Sequence, residues 1–242
     1  MSARDEWDAL RAFTPARVAL GRVGNGLPTS RVLEFQLAHA RARDAVHTPF
    51  DALAVANALG GDVVRLLTAA RDRAAYLSNP DLGRTLSGES HAMLKPGTFD
   101  AALVIADGLS ATAVHAHGAR LAQIVLKMPG IVWAPVSIVT NGRVAAGDDI
   151  AAALGAEMAV VLIGERPGLS AADSLGIYLT FAPKPGITKD ADRNCISNVR
   201  PDGLALEDAA HRLTWLMTEA RRLRLTGVGL KEDAPTGALP AG

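Results

Sequence analysis

The sequence predicts an α/β protein: a Rossmann-like, mostly parallel sheet with flanking helices, preceded by an α-helical N-terminal region. Three observations carry that class. Short apolar runs at residues 101–106, 136–140, 159–163 and 176–181 each lead into a turn marked by glycine, proline or a polar side chain. Fully apolar runs of this length read as buried strands. Helical patterns lie between several of them, and alternating strands and helices imply right-handed βαβ units. Before residue 95 the apolar spacing is helical and no strand stands out. The chain therefore divides into a helical region, residues 1–95, and an α/β region, residues 96–242.

In order, residues 3–13 form an amphipathic helix with Trp7, Leu10 and Phe13 near one face, ended by Pro15. Residues 17–26 are a glycine-punctuated loop or a short strand. Thr29 or Ser30 caps the next helix after Pro28, with Leu33, Leu37 and Ala40 at helical spacing, and it stops near His47-Thr48-Pro49. A helix at residues 51–59 stops at Gly60-Gly61, another covers residues 63–77, and Asn79 to Arg84 is a turn. After Lys95-Pro96-Gly97 come a strand at 101–106, a helix at 111–127 and a strand at 136–140. Asp148 and Asp149 open the next helix, where acidic charge suits the positive N-terminal end. Strands at 159 and 176 follow. The last helix, residues 206–225, buries Ala210, Leu213, Leu216, Met217 and Leu223. The Pro- and Gly-rich tail after Lys231 reads as mobile.

Composition narrows the function. Of 242 residues, 25 are basic and 25 acidic, so no excess charge is available to neutralise phosphates and nucleic acid is not the expected partner. One cysteine, Cys195, excludes an internal disulfide and points to a reducing cytoplasm. No apolar run approaches the roughly 20 residues that span a bilayer, and the acidic N-terminus lacks a signal core, so neither membrane insertion nor secretion is expected.

Ligands of such sheets sit on the loops at the carboxyl ends of strands. Three loops stand out: Asn141-Gly-Arg-Val144, Gly164-Glu-Arg-Pro-Gly168 and Asp192-Arg-Asn-Cys-Ile-Ser-Asn198. Together they suggest one crevice for a large ligand with a polar edge. Glu165 offers a carboxylate to ligand amides or hydroxyls, or pairs with Arg166. Cys195 has no base at a readable spacing and reads as a packing or ligand-wall residue rather than a nucleophile. Asp107-Gly-Leu-Ser110 either receives an anion at a helix start or satisfies its own turn. It has one glycine where a dinucleotide fingerprint needs three, and no Walker loop occurs. His115 and His117, two apart on a helix, point to different faces and do not share a metal.

These loops, with Asp173-Ser-Leu-Gly176, residues 101–110, Thr14 to Arg17, Gly21 to Ser30 and Pro80 to Arg84, resemble the light chain of ethanolamine ammonia-lyase over roughly residues 14–231. The resemblance implies a small subunit of an adenosylcobalamin-dependent enzyme that converts ethanolamine to acetaldehyde and ammonia by a radical mechanism. A heavy chain is implied as partner, holding the substrate and most of the chemistry, with cobalamin clamped between the two chains. The implied cofactor contacts are Val144, Glu165 and Cys195; no catalytic residue or metal ligand is assigned to this chain. Some cobalamin proteins use Asp-x-His-x-x-Gly to replace the cofactor's own base on cobalt. Ala113 stands where that motif requires Asp before His115, so the resemblance implies a cofactor that keeps its own base. In some relatives the N-terminus directs packing into a bacterial microcompartment; residues 1–13 suit that role or a plain docking helix. Two other readings remain at this point: a nucleotide-binding oxidoreductase domain, and an interaction subunit that never touches a cofactor.

Overall fold

The computed structural model describes residues 7–231, apart from residues 12 and 15. A six-stranded sheet runs β1-β3-β2-β4-β5-β6, with β1 Val63–Leu67, β2 Phe99–Ala106, β3 Val136–Thr140, β4 Ala156–Gly164, β5 Leu175–Phe181 and β6 Asn194–Val199. Its helices are α1 Asp8–Arg11, α2 Thr29–His47, α3 Ala52–Leu59, α4 Arg73–Ser78, α5 Gly88–Met93, α6 Ala111–Ala113, α7 Ala119–Val125, α8 Ala146–Leu154 and α9 Leu206–Leu223. A π-helical turn, Val114–Gly118, joins α6 to α7. The predicted class holds: a sheet with flanking helices, entered through helices.

Three local expectations need correction. Residues 63–67 are not helical but form the edge strand β1, paired in parallel with β3. Only Leu66 of β1 is buried, so its apolar residues did not alternate in a strand-like way, and they ran on into the apolar residues of α4. Short apolar runs are ambiguous between helix and strand, and here the free edge of β3 decided. Second, β5 and β6 run antiparallel to their neighbours, whereas β1, β3, β2 and β4 are parallel. The link at residues 165–174 holds no helix, and a parallel return needs a crossover of about a dozen residues or more. Third, neither Thr29 nor Ser30 caps α2: Pro28 occupies that position and no side chain bonds the helix start.

Other elements match closely. Asp51 caps α3 by accepting from the Ala54 N–H at 2.9 Å. The stripe of α9 is buried at Ala210, Leu213, Leu216 and Met217, but Leu223, its last residue, is exposed. The helix expected at residues 3–13 is represented by α1; residues before Trp7, Pro15 and the tail after Lys231 lie outside the described residues.

The sheet separates two cores. Leu103, Ile105, Met158, Val160, Leu162, Ile177, Leu179 and Ile196 face α3, α7 and α9. Ala102, Val104, Ala106, Ala159, Val161 and Ile163 face α8. The direction of strand addition reverses between β2–β3 and β3–β4, so α6–α7 and α8 fall on opposite faces, as right-handed crossovers require. The alanine-rich second face admits α8 at close range: a Cβ on Gly147 would collide with Val161. The helix α8 packs on β2 and β4, while α9 packs on β5 and β6 from the other side. The α8 side of the β5–β6 hairpin therefore retains an exposed strand residue, Cys195, beside a half-buried one, Tyr178.

Candidate cofactor site

Val144 and Cys195, singled out by sequence, lie on this side of the sheet, Val144 after β3 and Cys195 in β6. Val144 lies between β3 and α8 and packs, half-buried, against the α8-side core, as does Tyr178. Cys195 pairs directly with Tyr178 across β5 and β6. It is therefore in a strand, not in a loop at a strand's carboxyl end as expected. Paired residues of an antiparallel ladder point to the same face. Desolvation pushes the thiol above its ordinary value, a shift the neighbouring Tyr178 hydroxyl only partly opposes. A thiol held protonated is a poor nucleophile, in accord with a wall role.

Glu165 follows β4 and is placed by an irregularity that sequence alone did not reveal. The β5–β6 register shifts between Leu175 and Ile177, and Asn198 takes a left-handed φ of 58°. Such a bulge releases a backbone group from the ladder. The released Asn198 N–H donates to Glu165 Oε2 at 3.1 Å, and the Ser174 hydroxyl donates to the same oxygen at 2.5 Å. The other oxygen, Oε1, lies over Gly176, where an added Cβ would come within 3.2 Å of both Oε1 and the Tyr178 ring. Glycine at 176 thus opens the space in which the carboxylate and the ring approach one another. Arg166, the alternative partner that the sequence offered for Glu165, is exposed and forms no ion pair with it among the described residues. Sequence reasoning gave no role to Ser174, Gly176, Tyr178 or Asn198, although Ser174, Gly176 and Asn198 fall within motifs it singled out.

A buried ion pair braces this surface from α8. Arg193, two residues before Cys195, makes two bonds to Asp148 at 2.7 and 2.6 Å and one to Thr180 at 2.9 Å. Asp148 therefore does more than favour the helix dipole: it ties α8 to β5 and β6. Burial still raises its carboxyl above the ordinary value, against the pull of Arg193.

Elsewhere the strand ends are closed. A Cβ on Gly108, at φ 53°, would strike the Gly164 carbonyl, which accepts the Leu109 N–H at 3.0 Å. The turn is packed tightly against the end of β4, which explains the glycine at 108 without a nucleotide. Ser110, not Asp107, caps α6, accepting from the Ala113 N–H at 3.1 Å. His115 and His117 diverge as expected: the first accepts from the Asp51 N–H at 3.0 Å, and the second lies 3.4 Å from Asp173. Among the described residues no group of His, Cys, Asp and Glu is placed to hold a metal ion, and no helix is long and apolar enough to cross a membrane.

On this face Glu165 Oε1 is an acceptor, Tyr178 and Cys195 are cross-strand neighbours, and Val144 packs against the same core as Tyr178. Comparison with known proteins agrees in family. A family model for ethanolamine ammonia-lyase light chain (EutC) matches residues 4–231. The ethanolamine ammonia-lyase small subunit of Ralstonia nicotianae is 53% identical, over 99% of this chain and 93% of its own. Its namesakes from Azotobacter vinelandii, 52% identical over 98% and 92%, and Pseudomonas putida, 55% over 94% and 88%, are similar. With the match running through nearly every described residue, the chain belongs to the ethanolamine ammonia-lyase light-chain family.

Proposed function

We propose that this chain is the small subunit of an adenosylcobalamin-dependent ethanolamine ammonia-lyase, and that it walls the cofactor with Val144, Glu165 and Cys195. The relatives' name, a small subunit, supports a larger partner; we assign to that partner the ethanolamine and most of the reacting groups, so this chain is active only in the complex. When bound, adenosylcobalamin supplies a weak cobalt–carbon bond whose homolysis starts the radical conversion of ethanolamine to acetaldehyde and ammonia. The work of this chain is to bind, orient and shield. Glu165 Oε1 accepts a bond from an amide N–H or a ribose hydroxyl, while Val144 and Cys195 exclude water by close contact. His115 is already engaged by Asp51 and Phe50, which supports a cofactor that keeps its own base. Residues 1–95, with their exposed helix α2, are the proposed docking region. A cytoplasmic home, inside or outside a microcompartment, belongs to the same reading.

One observation carries the proposal: a carboxylate clamped at one oxygen by Ser174 and a bulged backbone N–H presents its other oxygen on the strand face that holds Cys195. The test is to co-express the chain with its large-subunit partner and titrate the complex with adenosylcobalamin, following the corrin absorbance. Glu165→Ala is expected to weaken cofactor binding about tenfold or more, the cost of losing a charge-assisted hydrogen bond. Acetaldehyde release at saturating cofactor should change little. Full cofactor retention by the variant would sink the role given to Glu165.

A further inference from the structure

We propose that Asp107, Arg73 and Tyr76 are positioning residues that hold the turn preceding Val144 in its ligand-facing geometry; this rests on the reading that Val144 meets the cofactor. The turn Asn141-Gly142-Arg143 is tied at each peptide. Asp107, at the end of β2 and 1% exposed, accepts the Gly142 N–H at 3.0 Å. The hydroxyl of the wholly buried Tyr76 donates to the Gly142 carbonyl at 3.3 Å. Thr68 donates to the Asn141 carbonyl at 3.0 Å, and the Arg143 N–H donates to the Gly83 carbonyl at 2.7 Å. Asn141 itself sits at φ 57°. Packing closes what bonding leaves: a Cβ on Gly142 would lie 3.0 Å from both Ala106 and Val139.

The carboxylate is held in turn. Arg73 pairs with Asp107 at 3.0 Å and donates to the Gly108 carbonyl at 2.7 Å, while its Nε donates to the Val46 carbonyl at 2.9 Å. Its guanidinium also lies 5.1 Å from the centre of the Tyr76 ring. An ordinary strand-to-helix connection does not need a buried carboxylate, and desolvating an ion pair returns little stability. Such an arrangement makes sense where a backbone must keep one geometry so that the next side chain meets a ligand within a fraction of an ångström.

The test uses the complex of this chain with its large subunit. Asp107→Asn keeps the shape of the side chain but turns an amide N–H towards Arg73, and Tyr76→Phe removes one buried hydroxyl. Cofactor affinity is read from corrin absorbance, and turnover is read separately at saturating cofactor. Asp107→Asn is expected to weaken affinity about tenfold, as loss of a supporting partner typically does, with turnover at saturation within about twofold. Tyr76→Phe should weaken it less, in the same direction; if Asp107→Asn does not assemble, this variant alone decides. Wild-type affinity in the assembled variants, with only a lower unfolding midpoint, would make the network purely structural and overturn the inference. Glu165→Ala separates the two readings: if it weakens binding while these variants do not, only the positioning role fails; if none does, the cofactor site itself is misplaced.

Discussion

Asp107 shows how far a single side chain departs from what its neighbours in sequence suggest. It follows an apolar strand and precedes a helix, yet its carboxylate does not cap that helix; it reaches Gly142 in the turn after β3 and Arg73 on a distant helix. Burial pushes its carboxyl from 3.8 up to about 6, although Arg73 and the Gly142 N–H pull the other way. A carboxyl raised in the folded state takes up its proton earlier on folding. Its contribution to stability is therefore full below about pH 4 and lost as pH rises through about 6. Urea unfolding of wild type and Asp107→Asn at pH 4.5 and 7.5 checks the sign. Relative to the variant, wild type should gain roughly 2 kcal/mol at the lower pH; parallel curves would mean that Asp107 titrates normally. Cys195 and Glu165 teach the complementary lesson. Both stood out as candidate ligand contacts from motif alone, but the cross-strand pairing with Tyr178 and the bulge that aims Asn198 at Glu165 did not, because both arise from strand pairing.

At the scale of elements, the approach of α8 to the sheet depends on absent side chains. Gly147 faces Val161, and Ala102, Ala106 and Ala159 line the same layer. Gly147→Ala is expected to force α8 away from β4 and destabilise the protein by about 1–3 kcal/mol, the usual cost of overpacking. An unchanged unfolding midpoint would show that the layer has slack. Because α8 starts just after Val144 and carries Asp148, the same shift should loosen the Arg193 pair. The strands of the α/β half announced themselves by apolar runs. The strands β1 and β6 did not: the first is an edge strand with one buried residue, and the second exposes Cys195, Ser197 and Asn198 while burying only Ile196 and Val199. Neither presents the continuous apolar run of a doubly covered strand.

Across the whole molecule, α2 is the element without a home. Its only buried residue among the described ones is Ala45, while Val32, Leu33, Phe35 and Leu37 are exposed. At about 100° per residue, Leu33 and Leu37 lie on a different side from Val32 and Phe35. Exposed apolar residues on a helix that adds little to its own core are the expectation for a contact surface. Leu33→Gln with Leu37→Gln should leave the unfolding free energy within about 0.5 kcal/mol of wild type, yet weaken association with the large subunit in co-purification. Undiminished association would remove this stripe from the interface.

The sequence by itself determined the fold class, the family and the three segments that bear the proposed cofactor contacts, because apolar periodicity and long local motifs are properties of adjacent residues. The tertiary structure alone decided that β5 and β6 turn antiparallel, that Asn198 bulges towards Glu165, and that Asp107 and Arg193 reach across to partners dozens of residues away. Those outcomes depend on which backbone groups and buried charges find a partner once the sheet has formed, and that matching is settled between segments rather than within one.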